Sequence, residues 1–448
     1  MKTMRGPKLL ALLAVFALVL AACGGGGAED TTTTAAGGDD VTTTEAPDTE
    51  TTTTAGGTTV PAGELGVVEV AAGESIKIGS IQTISGDTAS LGEDQVRATE
   101  LAITDMGEIQ GHAVELAFNE DGGCNSEGGQ TAATRIIADP QVVAVIGTSC
   151  SGAGVPASNV VTSAGRVLIS GSNTSPVLTS DLVGNEGPEH HEGYFRTAHN
   201  DAIQGAAAAR FVFEELSLTQ VATINDGDPY TQGLTSAFEA SFEELGGTIA
   251  LSTAVTADQT DMRPVLTEVA AAGAELVFFP IFQPAGDFIA EQALEVAGLE
   301  DAVLMGADGL LSDTYVTLPQ TENMYFSGPQ TPTTPAYAEF VEKYEAEYGE
   351  APIQAFHAHA YDATLMVLTA IDSVATADGD NLVIDLQALR DELHSMTFEG
   401  LTGTLSCDEF GDCASPNIDI VQNTADTADI EAVRANVLAT YSREDLGL

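Results

Sequence analysis

Two loops rich in hydroxyl side chains are the strongest candidates for chemistry in this sequence. Residues 147–154 read Gly-Thr-Ser-Cys-Ser-Gly-Ala-Gly and follow a predicted strand at 142–146, and residues 170–176 read Ser-Gly-Ser-Asn-Thr-Ser-Pro and follow a predicted strand at 167–170. Neither loop contains a cation. Hydroxyl groups and free N–H groups at a helix N-terminus suit a carboxylate or a carbonyl oxygen. Helix capping by Ser and Thr explains the same residues equally well, and the spacing does not separate the two interpretations.

Other clusters of reactive side chains fail to complete a catalytic or metal-binding motif. Residues 190–195 read His-His-Glu-Gly-Tyr-Phe, so Phe195 stands where a HExxH zinc motif needs its second histidine. His357 and His359 are two apart on a predicted helix and point to different faces. Residues 225–228 lack the rest of a calcium-binding loop, and the sequence contains no GxSxG or phosphate-loop motif. We therefore expect a protein that is not an enzyme and that binds no metal or cofactor.

The elements that must position the two loops alternate between strands and helices. Strands are predicted at 76–81, 114–118, 142–146, 167–170, 221–224, 248–255, 276–280 and 302–305, and helices at 92–106, 130–138, 151–163, 202–216, 230–245, 262–272, 284–297, 335–348 and 355–374. This alternation predicts α/β architecture with parallel sheets and helices on both faces. About 375 ordered residues are too many for one core, so we expect two Rossmann-like lobes joined by a hinge with several crossings. Ligands of such sheets lie beyond the carboxyl ends of the strands, where both loops fall.

The first 22 residues predict a secretory signal peptide. Three basic residues precede an apolar run at 9–20, which is short for a membrane span. Residues 20–23 read Leu-Ala-Ala-Cys and resemble a bacterial lipobox, in which Cys23 is acylated and becomes the mature N-terminus. A plain signal peptide with an incidental cysteine is the alternative. Residues 23–74 contain few large apolar side chains and predict a disordered tether after the lipidated cysteine.

The charge balance excludes one class of partner. The chain has 67 acidic and 14 basic residues, with a net charge of −53. Coulomb repulsion therefore excludes nucleic acid as a partner. Lys77 and Lys343 are the lysines outside the signal region, and acid excess with scarce lysine is typical of a surface that stays soluble at high salt.

Four cysteines remain after Cys23, and an even number in an exported chain predicts two disulfides. They are Cys124, Cys150, Cys407 and Cys413. Three pairings are possible, and their order along the sequence favours Cys124–Cys150 and Cys407–Cys413. Two pairs so far apart make a poor zinc site.

Short motifs occur in a definite order across residues 75–425. They are Ile76-Lys77-Ile78-Gly79, Ser85-Gly86, Gly123-Cys124, Ile146-Gly147 with Ser149-Cys150-Ser151, Leu168-Ile169-Ser170 with Thr174 and Pro176, Phe195-Arg196-Thr197-Ala198, Asp226 with Tyr230 and Gly233, and Met305-Gly306-Ala307-Asp308-Gly309. Together they resemble the branched-chain amino acid-binding proteins of ABC transporters, which have the type 1 periplasmic-binding fold. The resemblance implies a monomeric binding lipoprotein on the outer face of a bacterial cytoplasmic membrane. It would capture a small aliphatic amino acid between two closing lobes for import by an ABC transporter permease.

The resemblance also implies roles for particular residues. Ser151 and Thr174 would hold the α-carboxylate and amino group of the ligand, with main-chain contacts from Asn173. Tyr230 would close over the ligand from the second lobe, and Asp308 would pair with its ammonium group.

Cys150 precedes Ser151 and would contribute to the same site, braced by a Cys124–Cys150 disulfide. Two positions depart from the family pattern: Asp308 is one methylene shorter than the usual glutamate, and Leu91 replaces a frequent aromatic residue. With Phe282 as a second wall, an apolar pocket is still expected.

The predicted division of the folded chain gives residues 75–198 and 329–399 to lobe 1, and residues 199–328 and 400–448 to lobe 2. A receptor of the same fold for an aliphatic amide, urea or an aromatic acid is the alternative function, as is a sensory ligand-binding module.

Overall fold

A computed structural model describes residues 63–414 and 416–448. The described strands are β1 Val67–Val70, β2 Ile76–Gln82, β3 Glu108–Ile109, β4 His112–Asp121, β5 Val142–Gly147, β6 Val167–Ser170, β7 Tyr194–Arg196, β8 Gln220–Asn225, β9 Thr248–Ala254, β10 Leu276–Phe278, β11 Val303–Ala307, β12 Tyr325–Pro329, β13 Thr376–Asp378, β14 Asn381–Asp385, β15 Phe398–Gly400, β16 Gly403–Leu405, β17 Asn417–Gln422 and β18 Val437–Ser442. The described α-helices are α1 Ala89–Met106, α2 Ser126–Ile137, α3 Ser151–Ser163, α4 Asp201–Arg210, α5 Pro229–Glu244, α6 Arg263–Ala272, α7 Ala285–Ala293, α8 Asp313–Val316, α9 Pro335–Tyr348, α10 His357–Val374, α11 Leu386–Ser395, α12 Ile430–Ala435 and α13 Arg443–Leu446.

The first sheet has six strands in the order β3-β4-β2-β5-β6-β7, and all neighbours except β3 and β4 are parallel. Every residue of β5 is buried, as expected for a parallel strand covered on both faces. Val143 and Ile146 face a core built with α10 and α11, whereas Val142 and Val145 face a second core built with α2 and α3. This sheet and its helices are called lobe 1 below.

The second sheet has seven strands in the order β18-β17-β12-β11-β10-β8-β9. The five strands from β12 to β9 are parallel, whereas β17 and β18 are antiparallel to their neighbours. Val277 and Phe279 face one core of this sheet, and Leu276 and Phe278 face the other. This sheet and its helices are called lobe 2. The two sheets with helices on both faces confirm the predicted α/β fold class.

The amino-terminal part of the described chain differs from the sequence prediction. The predicted tether runs to residue 74, whereas β1 pairs antiparallel with β14 of lobe 1. Val68 and Val70 are buried in the lobe 1 core. The partner strand lies more than 300 residues along the chain, so local composition could not indicate this pairing. The predicted signal peptide, the predicted lipidation site Cys23 and the tether up to residue 62 lie outside the described residues.

The boundary predicted at residue 400 also differs from the structure. Leu405 and Cys413 are buried in the lobe 1 core, and Asp412 forms an ion pair with buried Arg196 at 2.5 Å. The chain passes to lobe 2 after Cys413 and before β17. Burial of the Cys407–Cys413 loop against lobe 1 explains this shift of the boundary.

Disulfides join Cys124 to Cys150 and Cys407 to Cys413, as their order along the sequence predicted. No helix within residues 63–414 and 416–448 combines the length and apolarity that a membrane crossing requires.

Candidate functional site

A cleft lies between the two lobes, at the carboxyl ends of the strands of lobe 1. Its lining from lobe 1 consists of Asp87, Thr88, Ser90, Leu91, Ser149, Cys150, Ser151, Ser172, Thr174, Gln354 and Phe356. Its lining from lobe 2 consists of Tyr230, Phe282, Gln283, Asp308, Gly309 and Ser312. The cleft thus brings together seven of the eight predicted ligand-binding residues, from six separate segments of the chain.

Ser151 is the first residue of α3 and follows β5 after a short loop. The N-cap position of α3 is Cys150, and its side chain makes no capping hydrogen bond. The hydroxyl of Ser151 accepts a hydrogen bond from the N–H of Ser175 at 3.3 Å. Helix capping therefore does not account for Ser151, which lines the cleft at the positive end of a helix of 13 residues.

The two hydroxyl-rich loops brace one another. The hydroxyl of Ser172 lies 2.8 Å from the carbonyl oxygen of Ser149 and 3.0 Å from Oε1 of Gln95, and its one hydrogen is available to either acceptor. The hydroxyl of Ser149 donates to Oε1 of Gln82 at 2.7 Å and accepts from the N–H of Thr83 at 3.0 Å. These buried bonds hold both loops in fixed positions, so the cleft is preorganised on its lobe 1 side.

Asn173 is fully buried and is not among the residues that line the cleft. Its N–H donates to the hydroxyl of Ser170 at 2.8 Å, and its carbonyl accepts from Nη1 of Arg196 at 3.2 Å. Its side-chain amide donates to the carbonyl of Thr148 at 2.8 Å. The main-chain N–H and carbonyl of Asn173 thus each have a protein partner, and the predicted contact of this residue with a ligand stays a prediction. Ser172, two residues before Thr174, lines the cleft instead.

Asp308 is the charged group of lobe 2 in the cleft. Its Oδ1 accepts hydrogen bonds from Nε2 of Gln204 at 2.6 Å and from the hydroxyl of Tyr230 at 3.3 Å. The residue is buried, with 8% of its surface exposed. Burial raises the pKa of Asp308 to about 6, against the lowering effect of these hydrogen bonds.

A second buried carboxyl group, Asp201, lies close to this one and was missed by the sequence analysis. It is the first residue of α4, and its N–H donates to the carbonyl of Thr174 at 2.9 Å. Burial, and next the negative charge of Asp308, raise the pKa of Asp201 well above its ordinary value. Asp201 follows Asn200, the N-cap of α4, so its position resembles ordinary helix-start chemistry in the sequence.

The predicted apolar walls, Leu91 and Phe282, both line the cleft. The rings of Phe282 and Tyr230 lie 5.2 Å apart between centroids. Phe356 directly precedes α10 and adds a third wall that the sequence analysis missed, because the helix predicted at 355–374 included this residue. The described lining residues include carboxylates, amides and hydroxyls, and none of them is Lys, Arg or His.

The histidines considered as metal ligands are buried or bonded to other side chains of the protein. His357 and His359 are buried, and burial lowers the pKa of His357 to about 3 and that of His359 to about 4. Nε2 of His357 bonds to the hydroxyl of Tyr337 at 2.9 Å. His190 lies 2.7 Å from a carboxylate oxygen of Glu186. Within the described ranges, no three His, Cys, Asp or Glu side chains are grouped as metal ligands.

Comparisons with known proteins agree with this architecture. A Leu/Ile/Val-binding protein homologue of Brucella melitensis is 29% identical over 357 residues, covering 78% of this chain and 92% of that protein. A leucine-binding protein, LivK, of Thermotoga maritima superposes with a TM-score of 0.69 at 22% identity, covering 83% of this chain and 99% of that structure. LivJ of Streptococcus pneumoniae, solved in complex with isoleucine, superposes with a TM-score of 0.67 at 24% identity, covering 82% of this chain and 99% of that structure.

A family model for periplasmic binding proteins also matches residues 75–422, which include most of both lobes and every segment that lines the cleft. This match agrees with the two lobes and the cleft between them, and it shows that the chain belongs to the periplasmic binding protein family.

Proposed function

We propose that this protein is the lipid-anchored, extracytoplasmic receptor of an ABC transporter, and that it captures a small aliphatic amino acid between its lobes. One observation carries the proposal. Hydroxyl groups and a helix N-terminus on lobe 1 face a buried carboxylate on lobe 2, across a cleft whose described lining contains no cation. This arrangement suits a zwitterion, because each of its charges meets a group of opposite polarity.

The proposed orientation follows from the positions of the polar groups. The ligand carboxylate lies against Ser151 and Thr174, where hydroxyl groups and the N-terminus of α3 offer donors. The ligand ammonium lies against Asp308, with Tyr230 covering it. The side chain of the ligand then faces Leu91, Phe282 and Phe356. These apolar walls suit an aliphatic group, because binding buries apolar surface on both sides. The Brucella melitensis relative, which is named as a Leu/Ile/Val-binding protein homologue, supports the same ligand class.

Binding by contacts from both lobes gives the receptor its mechanism. A ligand that touches both lobes favours the form in which they are closed around it, because the open form lacks half of the contacts. A permease that recognises the closed form would then engage the loaded receptor in preference to the empty one.

Replacement of Asp308 by Asn tests the ligand assignment. Asp308→Asn keeps the shape of the side chain and removes its charge, so the ligand ammonium loses its partner. Loss of one member of a desolvated charge pair costs about 2–5 kcal/mol, or roughly 30- to several-thousand-fold in affinity. The measurement is calorimetric titration of both proteins with leucine, valine and a short aliphatic amide, and the amide should lose little affinity.

The matched control is Asp301→Asn, which removes an exposed carboxylate just before the same strand, β11. It should bind leucine with unchanged affinity. If the wild type binds only the amide, or if Asp308→Asn keeps full affinity for leucine, the zwitterion assignment is wrong and the amide reading replaces it.

Cys23→Ser tests the anchor. The variant expressed in a bacterium should leave the membrane fraction while keeping its folded body, because the thiol that accepts the lipid is gone. Mass spectrometry of the wild type should show an acylated N-terminus at Cys23. A wild type that is wholly soluble and carries no lipid would show that residues 1–22 are a plain signal peptide.

A further inference from the structure

Arg434, on α12 of lobe 2, joins two backbone segments that belong to different lobes. Its Nη2 donates to the carbonyl of Leu311 at 3.2 Å, and its Nη1 donates to the carbonyl of Ile353. Leu311 belongs to lobe 2 and follows the helical turn Asp308–Leu310. Ile353 belongs to the segment that enters α10 of lobe 1. One guanidinium group therefore spans the boundary between the lobes.

The lobe 1 segment is held from its other side by Asp94 of α1. One carboxylate oxygen, Oδ2, accepts from the N–H of Ile353 and from the N–H of Gln354, both at 2.7 Å. The other oxygen accepts from the hydroxyl of Tyr344 at 2.6 Å. Asp94 is 4% exposed. The Ile353–Gln354 backbone thus lies between a buried carboxylate and a guanidinium group, an arrangement we call the Asp94–Arg434 clasp.

Both segments held by the clasp carry side chains of the ligand cleft. Gln354 and Phe356 line it from lobe 1, and Asp308 and Ser312 line it from lobe 2. Asp94 and Arg434 are not among the lining residues. The clasp therefore acts on the cleft through the backbone, without touching a ligand there.

The partners of Arg434 argue against a purely stabilising role. Arg434 is half-buried in a very acidic chain, yet its ion-pair distances to carboxylates in the described ranges all exceed 4.0 Å. Buried Arg196, in contrast, pairs directly with Asp412. A guanidinium that bridges two carbonyls from opposite lobes contributes its full energy only when the lobes have this relative position.

We propose that Arg434 is a positioning residue of the ligand site, which sets the relative position of the lobe 1 and lobe 2 walls through the Asp94–Arg434 clasp. This inference rests on the proposed function for the ligand used in its test. The apparent Kd is the intrinsic Kd divided by the fraction of molecules in the binding-competent form, so loss of a contact that favours that form raises the apparent Kd. One charge-assisted hydrogen bond between the lobes corresponds to about 10- to 100-fold in affinity.

The chain offers a closely matched control for Arg434→Ala. Arg390 also donates to two carbonyls, those of Thr162 at 2.6 Å and Arg166 at 3.1 Å, but both belong to lobe 1. Arg390→Ala and Arg434→Ala should both lower the melting temperature. Calorimetric titration with leucine well below that temperature should show an increase in Kd of about tenfold or more for Arg434→Ala alone.

A second variant and a ligand-free measurement complete the test. Arg434→Lys keeps the charge without the planar fork that reaches both carbonyls, so its Kd should fall between those of the wild type and Arg434→Ala. Hydrogen exchange of the Ile353 and Gln354 amides without ligand should be faster in Arg434→Ala and unchanged in Arg390→Ala.

Equal changes in Kd for the two alanine variants, or no change for either, would overturn the inference. A wild type that binds no amino acid would instead refute the proposed function. In that case hydrogen exchange still tests whether Arg434 holds the Ile353–Gln354 backbone. Unchanged exchange of these amides in Arg434→Ala refutes the clasp, and faster exchange supports it.

Discussion

Burial of Asp308 makes its charge dependent on pH in a range where the ligand charges are constant. The pKa is raised to about 6 in the unliganded protein, and an ammonium group beside it would lower that value. Burial, and next the negative charge of Asp308, raise the pKa of the nearby Asp201 carboxyl as well. With a pKa of about 6, Asp308 itself carries a negative charge at neutral pH. The group that we propose pairs with the ligand ammonium is therefore also one whose ionisation is made unfavourable by burial.

We predict that affinity for leucine falls as the pH decreases through about 6. Below that pH the unliganded protein takes up a proton on Asp308 that ligand binding must release, which costs up to about tenfold per pH unit. Calorimetric titration between pH 4.5 and 7.5 measures the effect, and Asp308→Asn should remove most of this dependence. A wild-type profile that is flat across this range would contradict the assignment.

The same shift has the opposite sign for folding stability. A carboxyl group whose pKa is raised on folding binds a proton more tightly in the folded protein than in the unfolded one. Ionised Asp308 therefore lowers the free energy of unfolding at neutral pH, and this destabilisation disappears as the pH falls through the folded pKa of about 6 toward the lower pKa of the unfolded chain. The charge of Asp308, which we propose for ligand binding, therefore opposes stability at neutral pH, as buried functional charges commonly do.

At the scale of elements, the two disulfides have different positions relative to the cleft. Cys124–Cys150 ties the segment before α2 to the residue that precedes Ser151, and its sequence separation is 26. Cys407–Cys413 closes a loop with a separation of 6 against the lobe 1 core. The first disulfide therefore braces a loop that lines the cleft, whereas neither cysteine of the second is among the lining residues.

We predict that Cys124→Ser/Cys150→Ser lowers both stability and ligand affinity, whereas Cys407→Ser/Cys413→Ser lowers stability alone. Loop-closure entropy gives about 3–4 kcal/mol for the longer loop and about 2 kcal/mol for the shorter one. Chemical denaturation and leucine titration of the two double variants measure both effects. Equal losses of affinity would mean that Cys124–Cys150 has no particular role at the site.

Helix α9 and strand β1 show where local sequence signals suffice and where they fail. Helix α9 has Pro335 in its first turn and Gly349 in left-handed conformation (φ 80°) at its end, and Thr334 accepts a hydrogen bond from the N–H of Tyr337. These signals predict its bounds without knowledge of the fold. Strand β1 has no such signals, because its stability comes from pairing with β14.

At the scale of the whole molecule, the excess of acidic residues is the feature with the largest expected effect on stability. A net charge of −53 places many carboxylates near one another with few cations to offset them. Their mutual repulsion opposes the compact state, and its range shrinks from about 10 Å at 0.1 M salt to about 3 Å at 1 M.

We predict that the melting temperature rises when NaCl is increased from 0.1 M to 1 M, because salt screens this repulsion more in the folded chain than in the expanded unfolded chain. Thermal unfolding followed by circular dichroism measures the shift. Sucrose at equal osmolality is the control for effects of excluded solute, and an equal increase in sucrose would refute the electrostatic explanation.

The sequence by itself determined the alternation of strands and helices, the two-lobed α/β fold and the hydroxyl-rich loops around Ser151 and Thr174. These features are local, because side-chain periodicity and strand ends are encoded within a few residues. Tertiary structure decided that Phe356 and Gln354 line the cleft, that Asp201 lies beside Asp308, and that Asp94 holds the Ile353–Gln354 backbone. Asp94 and Ile353 are 259 residues apart, and no local pattern specifies which distant backbone group a buried carboxylate will satisfy.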